Sequence, residues 1–198
     1  SDFRLRVGIE TQIDDETFNH TAQNSGKLTY ANATMTAVWS AAGLQTNGTN
    51  ITTTTTGVNI GTYAMYPIYG GGVITYVQFK GNVSAQPVSN TIIDIGTFLR
   101  GAAHPYAPLD GVYFRLNSSG WLGVINHNGT ENTVALPFTY NNNQNYQFLI
   151  TIQEDKARFW IDDVLYGEIL TPTGQGQPCM ASSLPFSIRH AIVGGAAG

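Results

Sequence analysis

Apolar and polar residues alternate with a period of two along much of the chain. "FRLRVGI" (3–9) sets Phe3, Leu5, Val7 and Ile9 on one face, and "VITYVQFK" (73–80) sets Val73, Thr75, Val77 and Phe79 against Ile74, Tyr76, Gln78 and Lys80. "GVYFRL" (111–116) places Val112, Phe114 and Leu116 opposite Tyr113 and Arg115. "YQFLITI" (146–152) aligns Tyr146, Phe148, Ile150 and Ile152, and "PFSIRHAIV" (185–193) aligns Phe186, Ile188, His190 and Ile192. Side chains of a strand point alternately to its two faces, so each pattern predicts a strand with one buried and one solvated side. No stretch carries the 3.6-residue repeat of an amphipathic helix.

Turn chemistry separates these runs. "NSSG" (117–120), "NHNG" (126–129) and "NNNQN" (141–145) supply residues that tolerate positive φ, and Asn128-Gly129 predicts a two-residue hairpin. Short strands punctuated in this way predict an all-β antiparallel sandwich with little or no helix. Three segments interrupt the pattern. The Thr-rich 45–62 is expected to be an edge strand or a surface loop, "RGAAHPYAPLDG" (100–111) an ordered loop, and "TPTGQGQP" (171–178) a mobile loop. None marks a change of composition, so residues 1–198 are expected to form a single domain.

In "KARFWIDDVLYGEI" (156–169) the alternation breaks at two aspartates. Ala157, Phe159 and Ile161 share one face, Arg158 and Trp160 the other. Neighbouring strand residues point apart, so Asp162 and Asp163 do not flank one scissile bond at the roughly 5–9.5 Å that paired-carboxylate glycosidases use. They are expected to form a hairpin tip, with Asp163 accepting from the backbone two residues on.

Composition narrows the function. Charged residues make up 11% of the 198, less than half the usual share of about 25%, while 42% hydrophobic residues suffice for a core. Thr, Asn, Ser and Gly take the place of charge. With a net charge of −4 and nine scattered Lys and Arg, no basic stripe exists to displace counterions, which argues against a nucleic-acid partner. Cys179 is the single cysteine, so no internal disulfide forms. No run of eighteen apolar residues predicts a membrane span. The chain opens on Ser1 and ends on "GGAAG" (194–198), which leads to the expectation of a processed or partial product.

His20, His104, His127 and His190 lack metal-ligand spacing, and His190, in phase with core-facing neighbours, is expected to be a hydrogen-bonded structural histidine. No Gly-x-Ser-x-Gly elbow occurs. Asn-x-Ser/Thr triplets begin at Asn19, Asn32, Asn47, Asn50, Asn82, Asn117 and Asn128, and in a chain so rich in Asn and Thr they discriminate nothing.

"GVYFRLNSSGWLGVINHNGTENTVALP" (111–137) followed by "NYQFLITIQEDKARFWIDDVLYGEI" (145–169) resembles the back half of a concanavalin A-like jelly roll of the laminin-G or legume-lectin type. "ARFWIDDVLYG" follows that family's v-x-F-y-i-D-G-x-l-v strand, with Asp163 where Gly is usual, and "DGVYFR" (110–115) is similar to variants in bacteriophage virion proteins. The resemblance covers roughly residues 65–193. It implies two stacked antiparallel sheets with the first and last strands (about 3–9 and 185–193) adjacent, and Arg4, Arg6 and Arg189 exposed together as a contact patch. The Glu-x-Asp-x-x-Glu strand of the family's glycosidases is not matched by "ETQIDDE" (10–16) or "DDVLYGE" (162–168).

These observations lead first to a non-enzymatic structural protein of a virus particle, a phage capsid decoration or tail-associated jelly roll. It would lie on the virion surface or outside the cell and act as a homo-oligomer through contacts with symmetry mates or other virion proteins. The second expectation is a lectin-like carbohydrate-binding module, with Tyr63, Tyr66, Tyr69, Tyr106, Trp121 and Trp160 as rings that stack on surface glycans or anchor an interface. The third is a polysaccharide hydrolase or lyase using Glu131, Glu168 or Asp162 as acid/base. No cofactor is expected, and Asp110, Asn126 and Asn128 are the weak calcium candidates, as oxygen donors in rim loops.

Overall fold

The computed structural model describes residues 3–7, 11–16, 18, 20–47, 55–68 and 73–193. Its strands are β1 (Phe3–Val7), β2 (Thr11–Glu16), β3 (Leu28–Ala33), β4 (Thr36–Ser40), β5 (Gly43–Asn47), β6 (Thr55–Thr62), β7 (Tyr66–Pro67), β8 (Thr75–Gly81) and β9 (Thr91–Arg100). They continue with β10 (Pro108–Asn117), β11 (Gly120–His127), β12 (Thr130–Ala135), β13 (Tyr146–Ile152), β14 (Lys156–Ile161), β15 (Val164–Leu170), β16 (Ser183–Leu184) and β17 (Phe186–Val193). A six-stranded sheet runs β15-β14-β13-β8-β1-β2, and a seven-stranded sheet runs β12-β11-β10-β9-β17-β6-β3. Every pairing is antiparallel. No helix occurs among the described residues, and none is long and apolar enough to cross a membrane.

The two sheets stack through the apolar faces that the alternation marks out. Val77 and Phe79, Phe148 and Ile150, and Ala157, Phe159 and Ile161 meet Val112, Phe114, Leu116, Trp121, Ile125 and Phe186 from the other sheet. Phe114 sits at the centre, with ring centroids 5.2 Å from Phe148 and 5.2 Å from Phe159 in edge-on contacts, the geometry that ring quadrupoles favour. A second core lies on the same inner face, where the β4–β5 hairpin packs Trp39 and Leu44 onto Leu28, Val58, Ile60 and Ile192. His190 points into this region and bonds Thr46 through Nδ1 at 3.1 Å. Burial lowers its pKa to about 4, so the ring is neutral near pH 7.

The hairpin tips follow the turn signals. Asn128 and Gly129 both have positive φ (50° and 83°), as do Asp162 and Asp163 (46° and 64°), the paired signature of the two-residue turn whose twist suits a hairpin. The tip expected at the aspartates is therefore present. The carboxylate at work there is Asp162, not Asp163, and it accepts the Gln147 N–H at 2.8 Å from the neighbouring strand.

Two expectations about strands are corrected. The terminal strands are not side by side: β1 lies between β8 and β2 of one sheet and β17 between β9 and β6 of the other. Alternation says which side chains share a face but not which strands pair. The Thr-rich segment is neither edge nor loop at its C-terminal end. Strand β6 is an inner strand, buried over seven of its eight residues. Its polar side chains find partners, with Asn59 Nδ2 donating to Ile188 O at 3.2 Å and Thr62 Oγ1 donating to Ala64 O at 2.8 Å, so burial carries no unpaired polar group there.

Candidate functional site

The outer face of the seven-stranded sheet is where a soluble sandwich ordinarily meets water, yet much of it is buried. Registry places Asp94 of β9 directly opposite Arg189 of β17 on one side and Arg115 of β10 on the other. Arg189 Nη1 reaches Asp94 Oδ2 at 2.5 Å, and Arg115 Nε reaches Asp94 Oδ1 at 2.7 Å. Arg115 continues outward, with Nη1 2.6 Å from Glu131 Oε2 and Nη2 3.0 Å from Glu131 Oε1. Tyr113 donates its hydroxyl to Glu131 Oε1 at 2.7 Å. Two arginines and two carboxylates thus cancel in charge.

Burial falls steadily along this chain of contacts. Side-chain exposure is 0% at Asp94, 3% at Arg189, 12% at Arg115 and 32% at Glu131. The floor is closed by the 101–107 loop, whose Pro105 carbonyl accepts from Arg189 Nε at 2.6 Å. The loop is held by a Gly101 N–H to Ala107 O bond of 2.8 Å and by Arg100, whose guanidinium lies 5.1 Å from the Tyr106 ring centroid. Glycines make room for what covers this face. Gly96 and Gly111 stand opposite Tyr113 and Phe98, and a Cβ on either would collide with those residues. The Phe98 and Tyr113 rings meet edge-on at 5.2 Å over that space.

Protonation follows from these contacts. Burial pushes the Tyr113 hydroxyl up, and the Asp94 charge pushes it further, so Tyr113 remains a donor. Burial works against the charge on Arg115, but Asp94 and the hydrogen bonds outweigh it and the guanidinium is held charged. Burial also works to raise the Glu131 carboxyl. Hydrogen bonds from Arg115 and Tyr113 and the arginine charges win, leaving it below the ordinary carboxylate range. The accessible rim therefore presents an ionised acceptor in fixed orientation beside a charged donor. Leu122 and Ala135 continue the Arg115 row across β11 and β12, giving an adjacent apolar shelf.

The residues singled out in the sequence are dispersed. Trp121 and Tyr66 are buried in the core at 4% and 5% exposure, where a ring has no free face for a sugar. Tyr106 is buried beneath Arg100, Tyr63 is exposed, and Trp160 is half-buried on the outer face of the six-stranded sheet. Tyr69 and the side chains of Arg4 and Arg6 lie outside the described residues. Strand β1, which carries Arg4 and Arg6, belongs to the other sheet from Arg189, and Arg189 is buried, so no shared arginine patch includes it. Glu168 pairs with Arg158 at 2.6 Å on the six-stranded sheet and Asp162 sits at a hairpin tip, so neither approaches Glu131.

Asp110, Asn126 and Asn128 do come together, but the side-chain oxygens of Asp110 and Asn126 serve the backbone. Asp110 accepts the N–H groups of Asn128, Met180 and Ala181 at 3.1, 2.8 and 2.8 Å, and Asn126 Oδ1 accepts Gly129 N–H at 2.8 Å. No cluster of three His, Cys, Asp or Glu suited to a metal occurs among the described residues. Cys179 is buried, with its thiol pushed up to about 12 by burial and by Asp110. Asp94 and Arg115 were missed in the sequence reading. A lone Asp between Ile93 and Ile95, in a chain so poor in charge, was the available signal.

No family model and no curated protein matches the sequence. Among solved structures, the chain is similar to an endo-1,3-beta-glucanase from Streptomyces sioyaensis, with TM-score 0.64, 12% identity, and 93% of this chain and 86% of that one covered. It is similar to the carbohydrate recognition domain of Emp46p, with TM-score 0.60, 8% identity and coverage of 92% and 90%. It is also similar to the carbohydrate binding module CBM66 from Bacillus subtilis, with TM-score 0.51, 11% identity and coverage of 84% and 92%. These likenesses overturn the expectation of a virion structural protein, since the matched folds are carbohydrate-binding and glycan-cleaving proteins. The "DGVYFR" segment behind that expectation has a local explanation in this chain: Asp110 ties down backbone N–H groups, Gly111 makes room for Phe98, and Tyr113 and Arg115 build the charge network. At such low identity the likeness speaks to architecture alone, and the fold of this chain is the concanavalin A-like jelly roll.

Proposed function

We propose that the chain is a non-catalytic, lectin-like carbohydrate-binding module whose site is the Glu131–Arg115 rim. The observation that carries this reading is the graded network, which ends at solvent in a fixed carboxylate and a fixed guanidinium. A sugar hydroxyl both donates and accepts, so it pairs with both groups at once. The Leu122–Ala135 shelf offers apolar surface to the ring C–H groups. Rigid side chains lose little freedom on binding, which favours affinity.

Binding rather than hydrolysis is favoured by the same chemistry. A general acid needs a carboxyl held above its ordinary value, and Glu131 is held below it. A second carboxylate across the bond is needed as well, and Asp94 is buried with an arginine on each oxygen. Titration of a broad panel of oligosaccharides and soluble polysaccharides by calorimetry is the test. Saturable binding to at least one glycan, weakened at least tenfold by Glu131→Gln, with no reducing ends released, is the expected result. Flat isotherms across the panel, or reducing sugar released in proportion to protein and lost in Glu131→Gln, would overturn it.

A further inference from the structure

Arg115 meets Asp94 side-on and Glu131 end-on. On one flank of the guanidinium, Nε lies 2.7 Å from Asp94 Oδ1 and Nη2 lies 3.4 Å from Asp94 Oδ2. At the tip, Nη1 lies 2.6 Å from Glu131 Oε2 and Nη2 lies 3.0 Å from Glu131 Oε1. A guanidinium carries five N–H donors in a planar fork. These four contacts occupy Nε, both hydrogens of Nη2 and one of Nη1. The donor left over is the second Nη1 N–H, on the flank turned away from Asp94.

The carboxylate has a matching vacancy. Each of its oxygens accepts at two positions. Oε1 is filled by Arg115 Nη2 and by the Tyr113 hydroxyl at 2.7 Å, whereas Oε2 takes only Arg115 Nη1. The unused acceptor position therefore sits beside the unused N–H, on the same flank. Asp94 is fully buried, while side-chain exposure is 12% at Arg115 and 32% at Glu131, so the flank away from Asp94 is the outward one. Strand β11 lies on that side, with Leu122 in register with Arg115.

We infer that the rim selects a vicinal diol on an uncharged sugar, one hydroxyl accepting from Arg115 Nη1 and its neighbour donating to Glu131 Oε2. The inference rests on the glycan-binding reading of this rim and adds the ligand class. The two free positions splay apart, so a single hydroxyl lies off both lines, and hydrogen bonds weaken as they bend. Two gauche hydroxyls on adjacent carbons span the gap, and the ring C–H groups between them reach the Leu122 side. A sugar lacking either hydroxyl leaves a charged group short of a partner, which costs binding. The two arginines are already matched by Asp94 and Glu131, so the site has no spare positive charge for a uronate or sulfate, and the outward Glu131 carboxylate repels one.

The test is calorimetry with cellohexaose, mannohexaose, isomaltohexaose and levan, each native and after periodate oxidation and borohydride reduction, which cut the bond between adjacent hydroxylated carbons. Two further probes are a linear 1,3-linked glucan, whose interior rings are intact but hold no adjacent free hydroxyls, and polygalacturonate, which has the diol and a carboxylate on each ring. At least one native neutral probe is expected to bind, and to weaken at least tenfold after oxidation. The 1,3-linked glucan and polygalacturonate should bind at least tenfold more weakly than that probe. Affinity unchanged within twofold after oxidation, or strongest binding to the 1,3-linked glucan or to polygalacturonate, would overturn the diol and leave glycan binding standing. Flat isotherms with every probe would overturn both.

Discussion

The two outer faces of the sandwich carry the same chemistry in different settings. On the six-stranded sheet, Arg158 and Glu168 meet at 2.6 Å with 35% and 36% of their side chains exposed. Beside them Trp160 stands in register between Leu149 and Leu165. On the seven-stranded sheet, Arg189, Asp94 and Arg115 meet at similar distances under a loop, with aromatic rings laid over glycines. Distance does not separate an ornamental ion pair from a built site. Burial does, because removing charges from water makes their pairing obligatory and their geometry fixed.

Removing the centre of the buried network should have the largest effect. Asp94→Asn leaves two buried arginines short of one charge and is expected to cost about 3–5 kcal/mol in urea denaturation. A loss under about 1 kcal/mol would erase the distinction between the faces. Acid should act next, through His190 on the inner side of the same sheet. Its folded-state pKa is depressed to about 4, so below about 6.5 the unfolded chain takes up the proton first. Stability is full above pH ~6.5 and should fall by roughly 3 kcal/mol as pH drops toward 4. His190→Gln should flatten that part of the thermal midpoint–pH curve, and an unchanged slope would refute the assignment.

Glycines give a finer contrast between the sheets. Gly111→Ala drives a Cβ into Phe98 at a φ of +145°, and should cost about 1–3 kcal/mol or more. Gly81→Ala, in the six-stranded sheet with nothing within 4 Å of the added Cβ, should be neutral or stabilising by about 0.4–1 kcal/mol. The smallest effect is expected on the exposed pair, where Glu168→Ala should change stability by less than about 1 kcal/mol. Equal costs at Gly111 and Gly81, or a large cost at Glu168, would mean that the six-stranded outer face is as constrained as its counterpart.

The sequence exposed the fold more readily than the site, for a physical reason. Strands such as 146–152 and 156–161 bury one face and solvate the other, so alternation reads them directly. Strand β6 is buried on both faces, and its Gly57, Asn59 and Gly61 face the covered side while Val58 and Ile60 face the core. It therefore lacks the contrast that alternation needs. Asp94 in "TIIDIGTFLR" has the pattern of a solvated residue. Its burial depends on Arg115 and Arg189, 21 and 95 residues away in sequence, and on the 101–107 loop. Turn types were local and legible, as at Asn128-Gly129 and Asp162-Asp163. Strand order, and with it the fate of each aromatic, was not. Trp121 and Trp160 look alike in sequence, and one is core while the other is surface.

The most direct measurement is a paired comparison of glycan affinity in Glu131→Gln and Trp160→Ala, using whichever oligosaccharide the wild-type chain binds. A site on the seven-stranded rim requires at least a tenfold loss in Glu131→Gln and less than a twofold change in Trp160→Ala. The reverse order would place recognition on the six-stranded face and contradict the Glu131–Arg115 rim as the binding site.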